Sequence, residues 1–396
     1  MTSTEHVVKR VPPHPLVGPG FGSYAPQDVG WLLTDLSQEV LEAPTEEREE
    51  AVQVGGAHYA ESLPIEYQPS LAYQTIFRAS LLRSADRLAE HVGLVTESLI
   101  SQRGPKIVLA SLARAGTPIG ILVRRWAGRF HGLDLPHFAV SIVRGRGIDR
   151  NALRYLASNY SASQVAFLDG WTGKGAITRE LDEAVRAANR ALGATFSSEL
   201  AVLADPGSTV RTFGTREDYL IPSACLNSTV SGLVSRTVLK EGLIGPDDYH
   251  GAKFYRHLAA LDVSNSFVDV INARFDVVRP TVVAALAAHL AQDREPTWAG
   301  WRQVELLAAE YGIGGTNLIK PGVGETTRVL LRRVPWKVLV RSRADEDLSH
   351  IYLLAEERKV PVEEVADLTY RCVGLIHPNY DRGAVGSDGR RVGRGS

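Results

Sequence analysis

Apolar runs recur through the middle of the chain at a nearly even interval: IVLASL from Ile107, FAVSIV from Phe138, VAFL from Val165 and LAVLA from Leu200. The interval is close to the ~30 residues of a strand–helix–strand repeat. Between the runs the apolar positions take a helical period. Ile119, Leu122, Val123, Trp126 and Phe130 form one stripe, with Pro118 where a first helical turn tolerates it. Leu181, Ala184, Val185, Ala188 and Leu192 form another. Near-continuous apolar strands alternating with amphipathic helices predict an α/β fold with a parallel sheet covered on both faces.

The flanks differ in texture. Residues 11–28 hold Pro12, Pro13, Pro15, Pro19 and Pro26 among glycines, which predicts an extended arm, because proline fixes φ and removes a donor. Residues 70–100 read as helix. Val282, Leu286 and Leu290 mark an Ala-rich helix, and AQDREPTWAG reads as a linker. From Trp298 to His377 a smaller α/β unit follows: a helix around Val304, a strand at KVLVRS, a helix at LSHIYLLAEERK, then VPVEEV. The last stretch, GAVGSDGRRVGRGS, has the composition of a disordered tail. The division expected is an arm at 1–28, a core domain at 29–292, a small domain at 298–377 and a tail at 378–396.

Length and composition narrow the class. A chain of 396 residues calls for two or three domains, and 44% apolar with 22% charged residues excludes a wholly disordered protein. Lys plus Arg number 44 and Asp plus Glu 45, so no global basic field argues for nucleic-acid binding by the whole surface. The two cysteines, Cys225 and Cys372, exclude a disulfide framework or a Cys-based zinc finger and favour a reducing compartment. No run approaches the ~18 apolar residues of a membrane span. MTSTEHVVKR lacks the apolar stretch of a secretion signal. The expectation is a cytoplasmic protein with no membrane partner and an unknown oligomeric state.

Three loops carry candidate chemistry. QVAFLD runs into Gly170, Trp171, Thr172, Gly173, Lys174 and Gly175 and then a helix. Ligands of open α/β sheets sit at strand carboxyl ends, and glycines ahead of a helix let amides approach an anion. Thr172, Gly173, Lys174 and Gly175 are therefore candidate phosphate holders, with Asp169 suited to sugar hydroxyls; the plain alternative is a strand–helix turn with an Asp cap. Ser111 to Pro118 occupies the same place on its own strand, and Arg114 with the amides of Ala115 and Gly116 could wrap a pyrophosphate. Arg144 and Arg146, on a Gly-hinged loop after FAVSIV, could close over an anionic leaving group or simply form a solvated turn. Asp205, in LADPG, could orient an acceptor or a metal-bound water; an Asp-Pro-Gly turn explains it equally well.

These segments resemble type I phosphoribosyltransferases: FLDGWTGKGAIT resembles their PRPP-binding motif, SLARAGTP their pyrophosphate loop, and RGRG falls where their hood loop lies. Leu168 stands at the motif's first acidic position and Gly175 at its final Thr. The match is closer to the phosphoribosyltransferase-like proteins of bacterial tellurite-resistance and stress operons, members of which often carry the label "cysteine protease StiP". The blocks concerned are FGSYAPQDVGWLL, HYAESLPIEYQPS, SLARAGTPIG, LDGWTGKGAIT, FGTREDYLIPSACLNSTVSGLVSRTVL and GPDDYHGAKFY, over residues 21 to 255. The resemblance implies magnesium-assisted transfer of phosphoribosyl from PRPP to a small-molecule acceptor. Asp169 and Arg114 would be catalytic, Thr172–Gly175 would hold the 5′-phosphate, and Ala115, Gly116, Arg144 and Arg146 the pyrophosphate. A degenerate PRPP-sensing regulator that binds RNA is the second expectation, a thiol protease using Cys225 the third.

Cys225, in IPSACLNSTVSG, has no papain-like or caspase-like surroundings, and a free cysteine is most often a small buried residue. His58 with Glu61, or His250 with Asp247 and Asp248, lack the spacing of a zinc helix, so no metal ligands are assigned. Between Asn317 and Arg343 seven basic residues face Glu325 alone, an electrostatic footprint suited to RNA or to a solvated face. GVGETTR, KVLVRS and RKVPVEEV resemble the Pelota and kink-turn-binding ribosomal-protein fold, in which a G-x-N-E-x-x-K motif opens a helix. Glu325 and Arg328 match its acidic and basic positions, and Gly324 replaces the Asn. The resemblance implies RNA contact through Glu325, Arg328, Arg332 and Arg333.

Overall fold

The computed structural model describes residues 13–43, 60–66 and 71–376. Residues 1–12 of the arm, His58, His377 and the tail at 378–396 lie outside them. Six parallel strands make the core sheet: β1 Gly30–Leu32, β2 Val108–Ala113, β3 His137–Val143, β4 Val165–Trp171, β5 Leu200–Ala204 and β6 Thr212–Thr215. Their order is β1-β3-β2-β4-β5-β6, and Gly147–Ile148 folds back antiparallel on β3. The expected parallel sheet is therefore present.

Side chains alternate across it with period two. Leu109, Ala166, Leu168, Ala201 and Leu203 face one layer, where α1 Leu71–Arg103, α2 Thr117–His131, α5 Ser264–Asn272 and α6 Phe275–Ala291 supply Val92, Trp126, Phe267 and Phe275. Val108, Ala110, Val165, Phe167 and Val202 face the other, against Leu153 of α3 Arg150–Asn159 and Leu181 and Val185 of α4 Ala176–Leu192. Each such Val, Leu or Phe side chain contributes roughly 1.5–3 kcal/mol by leaving water, which explains why both strand faces are apolar. Residues 13–28 hold no helix, and Phe21 and Tyr24 tuck around Trp31 with ring centroids 6.0 and 6.4 Å away.

The small C-terminal α/β domain contains α7 Ala299–Glu310, β7 Ile319–Pro321, α8 Val323–Arg332, β8 Pro335–Val340, α9 Ser349–Glu357, β9 Val362–Glu364 and β10 Cys372–Ile376. Its mixed sheet runs β7-β10-β8-β9. The helix at Val304, the strand at KVLV and the helix at SHIYLLAEE stand where the periodicity places them. Among the described residues, no helix is long and apolar enough to cross a membrane.

Candidate functional site

In the core sheet the chain passes from β2 to β3 on one side and then to β4 on the other. The carboxyl ends of β2 and β4 therefore flank the point where strand order reverses, the place where such sheets bind ligands. Both loops there are occupied by the protein itself.

The β2 loop holds Arg114, whose Nη1 donates to Glu66 Oε1 and to the Val234 carbonyl, each at 3.0 Å. Glu66 also accepts the Ser228 amide at 2.7 Å, so one carboxylate joins this loop to the segment after Cys225. The Gly116 amide donates to Leu112 O at 2.9 Å. A Cβ on Gly116 would lie 2.6 Å from Leu168 O, so only glycine permits this approach to β4. Ala115 is half-buried beside it.

The β4 loop is engaged differently. Asp169 accepts the Gly170 amide at 2.8 Å, and burial, with Glu325 nearby, pushes its carboxyl up to about 7 against the pull of Arg328. Thr172 Oγ1 donates to Asp205. Asp205 is fully buried and also accepts the Thr209 and Val210 amides and the Arg216 guanidinium, and burial raises its pKa. It is the hub of a turn. Lys174 donates to the carbonyls of Thr316 and Ile319, both in the C-terminal domain; burial first, then Lys320, holds its ammonium down at about 7. Gly173 O accepts from Tyr370 Oη at 3.2 Å. Gly175, at φ 84°, precedes α4 in a left-handed conformation that suits glycine. Arg144 donates to Asn317, and the exposed Arg146 lies 3.9 Å from Glu61.

From the other side, α8 presents its start to this loop. Gly322 offers no side chain to cap α8. The acceptor comes from the core: Asp218 Oδ1 takes the Val323 amide at 2.8 Å and Oδ2 the Arg371 amide at 2.9 Å. Burial pushes the Asp218 carboxyl up to about 6 against those two hydrogen bonds. Gly324 lies on the Trp171 indole, and the Arg328 guanidinium sits 4.6 Å from that ring's centroid. Arg328 also pairs with Glu325 at 3.1 Å; burial raises the Glu325 carboxyl, but Arg328 and Lys320 outweigh it and leave it lowered. Arg332 ends α8, with its side chain outside the described residues, and the Arg333 carbonyl accepts from Arg358. Tyr370 fills a slot floored by Gly300, where a Cβ would meet its hydroxyl at 1.7 Å.

Sequence reasoning missed Glu66, Asp218 and Tyr370. The one available signal was the helix start Gly322-Val323, which lacks a capping Ser, Thr, Asp or Asn and therefore needs a foreign acceptor.

Cys225 closes the short 3-10 turn Pro222–Cys225 and is 3% exposed; Cys372 is fully buried in β10, and burial raises its thiol well above the usual range. Neither forms a disulfide. His91 pairs with Tyr219, His137 with Ser111, His250 with Ser141 and His350 with Thr327. Among the described residues, no group of three His, Cys, Asp or Glu could hold a metal ion.

Fold and site together define a two-module protein: a parallel-sheet α/β core whose β4 loop is capped by a small α/β domain. The C-terminal module matches the PELOTA RNA binding domain over residues 298–378. Residues 22–272 match the family described as tellurite-like stress resistance cysteine protease StiP, and the chain belongs to that family. A relative, the cysteine protease StiP of Acinetobacter baylyi (strain ATCC 33305 / BD413 / ADP1), is 34% identical over 365 residues, covering 90% of this chain and 94% of its own. These matches correct the principal expectation from the sequence. The family and the relative are named as cysteine proteases, which overturns magnesium-assisted PRPP transfer, and the PRPP-sensing alternative falls further from the findings than the thiol protease.

Proposed function

We propose that the chain is a thiol protease of a stress response, with Cys225 as nucleophile and an RNA-binding C-terminal module. One observation carries the nucleophile: of the two cysteines, only Cys225 lies in the segment that matches the protease family, whereas Cys372 lies in the RNA-binding match. The burial of Cys372 in β10, with its thiol held protonated, supports the same choice, since the thiolate is the attacking form. Attack by the Cys225 thiolate on a peptide carbonyl would form an acyl-enzyme and release the amine with a proton; water would then free the acid and restore the thiol. Cys225 is buried in a turn that packs against α1 and against α8 of the small domain, so a peptide reaches it when that packing opens. Glu66 and Arg114 pin the stretch that follows, from Ser228 to Val234, to the β2 loop.

The RNA reading rests on the domain match and on Glu325, in the first turn of α8, with Arg328 one turn further on. We keep the phosphoribosyltransferase likeness as a reading of the core's fold, supported by its parallel sheet and strand-end loops. Two cysteines without a disulfide suit a reducing, cytoplasmic setting. The test of the protease is hydrolysis of unfolded protein and peptide pools. Cys225→Ala is expected to abolish it and Cys372→Ala to leave it within about twofold; hydrolysis that survives in Cys225→Ala overturns the proposal.

A further inference from the structure

We infer that the core holds the RNA-facing start of α8 shut, so that docking and RNA binding compete for the same groups. The inference rests on the RNA reading above. A helix start with bare amides and a nearby guanidinium is suited to a phosphate. In this chain that place is taken by a carboxylate from the core: Asp218 accepts the Val323 amide, as a phosphate oxygen would. The same carboxylate reaches across to the Arg371 amide and so ties α8 to β10 as well as to the core.

The basic partner is taken too. Arg328 sits over the Trp171 ring and pairs with Glu325, and Gly324 lies against the same indole. A second base or a ribose could not stack on α8 here, because Trp171 already does. Around this contact, Lys174 donates to two carbonyls of the C-terminal domain, Arg144 donates to Asn317, and Tyr370 donates to Gly173 O. The covering surface is formed by the β4 loop and the residues after β6, both at the carboxyl edge of the core sheet. Domain and crevice therefore close each other, and one opening motion would expose the α8 start and the β4 loop together.

A protein whose binding-competent form is a minor population shows an affinity reduced by that fraction, so loosening the dock raises the affinity. Trp171→Ala removes the stacked ring and leaves every residue of the C-terminal domain intact. Asp218→Asn keeps the shape and loses one of the two amide acceptances. Both full-length variants would be titrated by fluorescence anisotropy against a labelled RNA hairpin with an internal bulge and against bulk transfer RNA. Each is expected to bind about tenfold more tightly than the unaltered chain, and adding Arg328→Ala to Trp171→Ala should remove the gain. Hydrogen exchange on the unaltered chain gives a readout independent of any variant: RNA should accelerate exchange of the Arg371 amide as Asp218 withdraws. Equal RNA affinity in the unaltered chain and both variants, with Arg371 exchange unchanged, overturns the masking while RNA binding stands. Binding by none of the forms overturns the RNA reading and this inference with it.

Discussion

The two loops at the strand-order reversal are built alike and closed differently. The β2 loop is sealed by its own domain, through a part-buried Arg114–Glu66 pair with side chains 12% and 7% exposed. The β4 loop is sealed by another domain, through many weaker contacts around Trp171, Lys174 and Tyr370. Such an ion pair is strongly coupled to the fold, because loss of either partner strands a charge. The dock adds apolar packing of Tyr73, Ile76 and Leu220 to its hydrogen bonds and stacked ring, and it joins two modules that each have a core of their own. The first loop is thus a structural joint beneath the Cys225 segment, the second a separable interface.

Breaking the joint should have the largest effect. Glu66→Ala leaves Arg114 with the Val234 carbonyl alone and the Ser228 amide without its acceptor. We expect a loss of about 3–5 kcal/mol, read from the urea midpoint of the core, together with faster alkylation of Cys225. The interface should respond less. Gly300→Ala drives a methyl into the Tyr370 hydroxyl, and overpacking of this kind costs about 1–3 kcal/mol. Limited proteolysis should then release the C-terminal domain while the core stays folded.

Acidity acts with opposite signs on the buried histidines and on the carboxylates of the interface. Burial lowers His91 to about 3 and His137 and His350 to about 4. The unfolded chain protonates these imidazoles below about pH 6.5, the folded one only well below that, so stability falls as pH drops from 7 to 5. Asp169 at about 7 and Asp218 at about 6 act in reverse. Folded, they hold protons that the unfolded chain releases above about pH 3.9, so the interface gains as pH falls over the same range. Five histidines, with His250 and His289 also lowered by burial, outweigh the three raised carboxylates Asp169, Asp205 and Asp218. The whole chain is expected to unfold at lower urea at pH 5 than at pH 7. Asp169→Asn should steepen that loss, because it removes one of the opposing groups.

Much of the architecture was legible because it is written in local periodicity. The runs at Ile107, Phe138, Val165 and Leu200 became β2, β3, β4 and β5, and the stripe from Ile119 to Phe130 became α2. The edge strand β1 was not, since three residues among prolines and glycines carry no period. Function was less legible. Thr172, Lys174 and Arg114 have the residue types of an anion site, but their partners are Asp205, carbonyls of the C-terminal domain and Glu66, all distant in sequence. Side-chain type reports what a group can bind and says nothing of what already holds it. Cys225 had no local signature at all, and its standing comes from the family match.

The nucleophile can be tested directly by intact-mass and peptide mass spectrometry after incubation with an electrophilic peptide vinyl sulfone. One adduct is expected, on Cys225, and none on Cys372. An adduct on Cys372 alone, or a chain that cleaves peptides while Cys225 stays unlabelled, would contradict it.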